Sequence, residues 1–256
     1  METANGYVNV TIDEKGITTI AFFHPAQNSL PTALLDQLAQ AIQIAGTDTQ
    51  TRAIILKSDG DRTFCAGANF DELLQITNLD EGMAFFSGFA KVINACRNSQ
   101  KMIIGRVHGK AIGGGIGIAA ACDHCFATVN ASIKLSELSI GIGPFVIEPA
   151  VTRKMGLSAF SQLSLNAGEF YSAQWGKEKG LFAEVFDTVE EMDEAIITST
   201  AKMASWNPDA LFELRKTLWH GTDNWVTLLT ERAAISGRLV LSPDAQHAIR
   251  SVKKSK

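Results

Sequence analysis

The sequence is poor in the residues that build metal and disulfide scaffolds: of 256 residues only four are cysteine, and only Cys122 and Cys125 stand close together, around Asp123 and His124. A structural zinc site presents two such pairs, or a Cys pair with a matching His pair, to close its tetrahedron. With no second pair, Cys65, Cys96, Cys122 and Cys125 are expected to be buried thiols that pack as small hydrophobes, and no metal is expected. An excess of one charge is missing as well. A formal charge of −4 and a pI of about 5.8 leave no basic footprint for neutralising phosphates, which counts against a nucleic-acid partner. Long apolar runs are also lacking. The longest, Ala111 to Cys122, falls far short of the roughly 20 residues of a spanning helix, and Met1 to Gly6 is too polar for a signal-peptide core. No membrane partner and a cytoplasmic location are therefore expected. Three common motifs are absent too. There is no Walker A sequence and no G-x-S-x-G elbow, and the G-x-G-x-x-G that starts at Gly113 fails at Ile118, which removes the dinucleotide fingerprint.

What is present is a 46% hydrophobic chain, long enough for a large α/β core. Ile17 to Phe23 reads as a strand ended by His24-Pro25, where a fixed φ and a missing donor interrupt pairing. Pro31 opens a segment with Leu34, Leu35, Leu38, Ile42 and Ala45 at helical spacing, for which Gly46 is the expected C-cap. Ala53 to Lys57 reads as a buried strand, followed by a turn at residues 58–61. The pattern recurs in Met102 to Val107, a glycine run and a small-residue helix, then in short strands at His124 to Thr128 and Ile133 to Leu135. Alternating strands and helices argue for an α/β architecture with its sites where loops leave the strands. Beyond about Ala150 strand signals fade, and Met192 to Met203 and Asp209 to Leu218 carry helical periodicity. A core over residues 1–195 and a helical assembly region over 196–256 are expected.

Two loops carry possible chemistry. Phe64-Cys65-Ala66-Gly67-Ala68-Asn69-Phe70-Asp71 follows a strand and feeds a short helix from Asp71 to Leu74. Its small residues leave backbone N–H groups approachable, and a helix start adds partial positive charge. A plain small-residue turn is the competing account. Gly109 to Gly117 is the second loop, whose consecutive glycines let a ligand approach the backbone at another helix start; close helix packing would explain the same glycines. Together they could supply a pair of donors for a developing oxyanion. Glu137, in Leu135-Ser136-Glu137-Leu138, is flanked by apolar residues that would desolvate it and raise its pKa toward general acid/base values. Alone, an acidic residue in a short segment is more often part of a solvated face. His24, His108 and His124 read as packed or surface residues.

Phe64 to Asn69 resembles the first oxyanion-hole segment of the crotonase (enoyl-CoA hydratase/isomerase) family, and Gly113 to Ile118 through Cys122-Asp123 resembles the second. Asn166-Ala167-Gly168-Glu169 through Gly180-Leu181, and Ser242-Pro243-Asp244 through Lys254, extend the resemblance over nearly the whole chain, and the wording is nearest to bacterial 3-methylglutaconyl-CoA hydratase-like members. The resemblance implies a crotonase-like spiral of ββα units with a helical C-terminal assembly region, in trimers or a dimer of trimers. It implies an acyl-CoA thioester as substrate, with coenzyme A entering as part of the substrate and no separate cofactor. By the same similarity Ala68 and Gly114 would donate to the oxyanion and Glu137 would move protons. Ala66, Gly67, Phe70, Asp71, Leu74, Gly113 and Gly117 would border the substrate, and Arg250, Lys253, Lys254 and Lys256 could reach CoA phosphates. Two-glutamate hydratases of the family carry their second acid where this chain has Gly117, with Glu148 a conceivable replacement. Hydration of a 2-enoyl-CoA, straight or branched, is the leading expectation; isomerisation of a 3-enoyl-CoA by one glutamate is the alternative. A non-catalytic acyl-CoA-binding paralogue is the third.

Overall fold

A computed structural model describes residues 6–254; Lys256 and the side chains of Lys253 and Lys254, named above as possible phosphate contacts, lie outside the described residues. The chain opens with β1 (Tyr7–Ile12), β2 (Ile17–Phe23), β3 (Ser29–Leu30) and α1 (Thr32–Thr47). It continues with β4 (Ala53–Ser58), β5 (Thr63–Cys65), β6 (Gly67–Ala68), α2 (Phe70–Leu73) and α3 (Leu79–Asn98). Next come β7 (Ile103–Val107), β8 (Lys110–Ile112), α4 (Gly114–Ala121), β9 (His124–Thr128) and β10 (Ser132–Lys134). The last part holds α5 (Glu148–Met155), α6 (Leu157–Leu165), β11 (Tyr171–Ser172), α7 (Ala173–Glu178), β12 (Glu184–Phe186), α8 (Val189–Ser205), α9 (Pro208–Leu218), α10 (Trp225–Leu239) and α11 (Pro243–Lys254).

The strands sort into layers by their place in a repeating unit. The first strand of each unit joins a six-stranded sheet ordered β1-β2-β4-β7-β9-β12, parallel except for the β1–β2 pair. Later strands form a four-stranded sheet, β11-β10-β8-β5, and a two-stranded pair, β3-β6. Helices α1, α3 and α4 each return the chain to the first sheet, at β4, β7 and β9, which makes the ββα spiral. Central strands buried on both faces read as near-continuous apolar runs, and β2, β4, β7 and β9 do so. Most of the buried side chains form one core between the sheets, α1, α3 and α4. A smaller cluster of Ile104, Phe126, Met192 and Ile196 seals α8 against the far face of the large sheet.

Several local expectations change. Strand pairing persists past Ala150, because β11 and β12 are too short to show a period yet dock on existing edges. Gly46 lies inside α1 instead of capping it, and Asp48 is the C-cap; a Cβ on Gly46 would come within 2.9 Å of Ser99 Oγ, so close packing explains the glycine. All four cysteines are buried, and burial pushes the Cys65 and Cys125 thiols up to about 12. No described helix is long and apolar enough to cross a membrane.

Candidate active site

The small sheet decides where the chemistry gathers. β8 pairs in parallel with β5 on one side and β10 on the other, with Cys65 and Ile133 both opposite Ala111. Three neighbouring strands therefore deliver their following segments to one place: Ala66-Gly67-Ala68 after β5, Gly113-Gly114 after β8, and Ser136-Glu137 after β10. The N–H of Gly113 bonds the Lys134 carbonyl at 2.9 Å, which holds the last two segments side by side. A Cβ on Gly67 would lie 2.9 Å from the Ile112 carbonyl oxygen and 3.4 Å from the Gly114 nitrogen, so the first two loops are in backbone contact.

All three segments line one cavity of about 580 Å³, counted out to its open mouth. Its remaining walls are Phe70 and Leu73 of α2, Phe86 and Phe89 of α3, Ile140 and the segment from Ile142 to Ile147, and Ser236 of α10. Glu137 as a residue keeps some accessible surface, but its Oε2 is out of solvent and has no hydrogen-bond partner. Desolvation raises the carboxyl from 4.5 to about 7, against smaller opposing effects of backbone bonds from Glu137 and Ser136. Gly113 makes room for it. A Cβ there would meet Glu137 Oε1 at 2.8 Å, and the backbone itself sits at φ 54°, ψ −119°, a region open mainly to glycine.

The two loops offer donors in different ways. Gly114 is the first residue of α4, and the first N–H to close on the Gly113 carbonyl is that of Ile116, at 2.9 Å. The Gly114 N–H therefore has no partner within the helix. At the first loop the expected helix contribution does not materialise. α2 is a single turn, and its leading N–H groups, those of Asp71 and Glu72, already donate to the Asn69 side chain at 3.0 and 3.1 Å. What faces the cavity there is the β6 backbone around Ala68.

Ala66, Gly67, Ala68, Phe70, Gly113, Gly114 and Glu137 thus line the same cavity. Leu74 does not line the cavity; Leu73, one residue earlier on the turn, does. Asp71 lines an outer groove on the other side of Ala66, Ala68 and Phe70, with Arg62, Lys110 and Phe170. Gly117 is also outside the lining, because Ile147 covers it: a Cβ on Gly117 would fall 2.4 Å from Ile147 Cγ2. Glu148 does not replace the missing acid. It accepts from Thr152 Oγ1 at 3.0 Å and faces Arg232 at 3.7 Å, beyond the cavity wall. None of His24, His108 and His124 lines the cavity; burial and the nearby Arg106 push His108 down to about 4. Phe86, Phe89, Ile140, the segment from Ile142 to Ile147 and Ser236 went unread in the sequence, since their apolar or small character is that of any core position.

Ile147 gives one expected result. Gly117→Glu should destabilise the protein by about 1–3 kcal/mol through overpacking, while Gly117→Glu combined with Ile147→Ala should recover most of that loss in urea denaturation. Equal stability of the two variants would show that Ile147 does not own the space.

Comparison with known proteins identifies the family and the fold. The family model described as enoyl-CoA hydratase/isomerase matches residues 13–251. A Bacillus subtilis (strain 168) protein described as a probable enoyl-CoA hydratase is 26% identical over 213 residues, covering 83% of this chain and 81% of its own. The mitochondrial methylglutaconyl-CoA hydratase of Mus musculus is 31% identical over 170 residues, 66% of this chain and 54% of its own. Among solved structures, an enoyl-CoA hydratase from Bacillus halodurans superposes with a TM-score of 0.89 at 19% identity, covering 96% of this chain and 99% of that one. With a family match running from the turn after β1 into α11 and the spiral fold beneath it, this chain belongs to the enoyl-CoA hydratase/isomerase (crotonase) family.

Proposed function

We propose that this protein hydrates 2-enoyl-CoA thioesters with Glu137 as its single proton carrier. The observation that carries this reading is the buried, unpartnered Glu137 Oε2 in the same cavity as the backbones of Ala68 and Gly114. In the proposed cycle the thioester oxygen takes hydrogen bonds from the N–H groups of Ala68 and Gly114. The Glu137 carboxylate accepts a proton from water as the water oxygen bonds to C3, and the electron pair moves onto the thioester oxygen. Protonated Glu137 then returns its proton to C2, so one water is added and the carboxylate is restored. Each backbone donor is worth about 3 kcal/mol to such an oxyanion. The CoA portion is assigned to the outer groove, where Arg62 and Lys110 offer positive charge. Assembly into trimers belongs to the same reading and is supported by the exposed Leu157 and Leu165 on α6.

Ile147 favours a second reading. Filling the place beside Gly117, it leaves the cavity with one carboxylate among its described lining residues. One carboxylate also suffices to take a proton from C2 of a 3-enoyl-CoA and deliver it to C4. Incubation with matched 2-enoyl and 3-enoyl esters, read by chromatography with mass detection, separates the two. Gain of one water from the 2-enoyl ester is the expected result, and an isobaric product from the 3-enoyl ester alone would replace hydration with isomerisation. No product from either would leave a protein that binds acyl-CoA without turning it over.

A further inference from the structure

The cavity and the outer groove differ in charge. Arg62 and Lys110 line the groove, whereas no Lys, Arg or His lines the cavity among the described residues. The cavity's polar side chains are Ser136, Glu137 and Ser236, and the rest of the lining is apolar side chain or small-residue backbone. We infer that the acyl pocket selects a neutral hydrocarbon acyl chain and rejects acyl groups that end in a second carboxylate. The inference rests on the acyl-CoA reading above and narrows its substrate class.

Three physical points lead there. A carboxylate moved into an apolar cavity needs a cation or several donors to offset its lost hydration, and two serine hydroxyls do not supply a counter-charge. Glu137 already holds a carboxyl whose Oε2 is unpartnered, so a second anion in the same space would repel its ionised form. On α10, Arg232 stands one helical turn before Ser236, and its Nε is buried without a partner. Its guanidinium faces Glu148 at 3.7 Å and does not reach the lining. The molecule therefore presents cations to one end of its ligand and, to the other, a wall without a cation whose one ionisable group is the acidic Glu137. Methylglutaconyl esters, named for the mouse relative, carry the carboxylate that this wall lacks a partner for.

The test uses hexanoyl-CoA and adipoyl-CoA, which have the same six-carbon chain, lack a double bond to react, and differ in the terminal carboxylate. Isothermal titration of the purified full-length protein is expected to show hexanoyl-CoA bound about 100-fold more tightly, and Arg232→Gln is expected to leave that ratio unchanged. A ratio below tenfold would overturn the inference. Tight adipoyl-CoA binding that Arg232→Gln abolishes would do so as well, and would name Arg232 as the carboxylate reader. Failure of both esters to bind overturns the acyl-CoA reading itself, and the selectivity with it. Selective binding without any hydration or isomerisation would support the selectivity while removing the proposed reaction. As a turnover check, 2-hexenoyl-CoA should exceed 2,3-dehydroadipyl-CoA in kcat/KM by a similar factor.

Discussion

Glu137→Gln is expected to lower turnover by roughly 10²–10⁴-fold, the usual contribution of a positioned acid/base, while hexanoyl-CoA affinity changes little. Glutamine preserves the shape of the side chain beside Gly113 but can neither accept the proton of water nor return it to carbon. For the wild type, kcat/KM should rise with pH through an apparent pKa of about 7, because the free enzyme must hold Glu137 as carboxylate to begin the cycle. Loss of that limb in the variant's residual activity is the accompanying expectation. Unchanged turnover would remove Glu137 from the mechanism.

The same carboxyl bears on stability. Its pKa in the folded protein lies above its ordinary 4.5, at about 7, so the folded state retains a proton that the unfolded chain gives up. Its favourable contribution is present in full below about pH 4.5 and is lost as pH rises through 7. A glutamine side chain does not ionise, so the melting temperature of Glu137→Gln should gain on that of the wild type across this window and hold a constant lead above it. A difference that stays flat from pH 4.5 to 8 would mean that the carboxyl is not desolvated in solution.

The second large effect is on the clamp that fastens the C-terminal helices to the core. Arg215 of α9 and Asp123, at the turn between α4 and β9, are almost fully buried, with their side chains 4% and 3% exposed, and Arg215 Nε donates to Asp123 Oδ2 at 2.9 Å. The guanidinium also donates to the carbonyl of Arg97 at 2.9 Å and to those of Cys96 and Ser99, where α3 ends. Asp123 receives the Trp219 indole N–H at 2.7 Å and the Ile103 N–H at 2.8 Å. These partners are spread over separate elements, so one ion pair ties α3, β7, the α4–β9 turn and α9 together. Removing one member of a buried pair costs about 3–5 kcal/mol because the other charge is left without compensation. Arg215→Met should show that loss in urea denaturation, and Arg215→Met with Asp123→Asn should lose less. Because α9 leads into α10, which carries Ser236 to the cavity wall, hexanoyl-CoA affinity should weaken along with stability. A loss under about 1 kcal/mol, the range of an exposed pair, would mean that the clamp is dispensable.

Much of the site was legible because its chemistry is local. Small residues at 66–68 and glycines at 113–115 are needed wherever a backbone must approach another group, and that need falls on consecutive positions. Flanking apolar residues likewise announced that Glu137 would be desolvated, and the lack of an acid at Gly117 was plain. Gly46 misled for the same reason: a glycine near a helix end looks like a cap, and only Ser99, packed against it from the end of α3, explains it. The helix start expected at Asp71 misled too, since the sequence does not reveal that Asn69 would take up the N–H groups of Asp71 and Glu72.

By itself, the order of residues determined the alternation of strands and helices, the two small-residue loops and the solitary carboxylate, because each depends on neighbours along the chain. Only the tertiary structure decided what surrounds them. Phe86 and Phe89 from α3, Ser236 from α10 and Ile147 over Gly117 reach the site across long separations, and as apolar or small side chains they carry no mark distinguishing a pocket wall from a core. The family resemblance therefore lay open in the sequence, while the wall around Glu137 depended on how α2, α3 and α10 close over it.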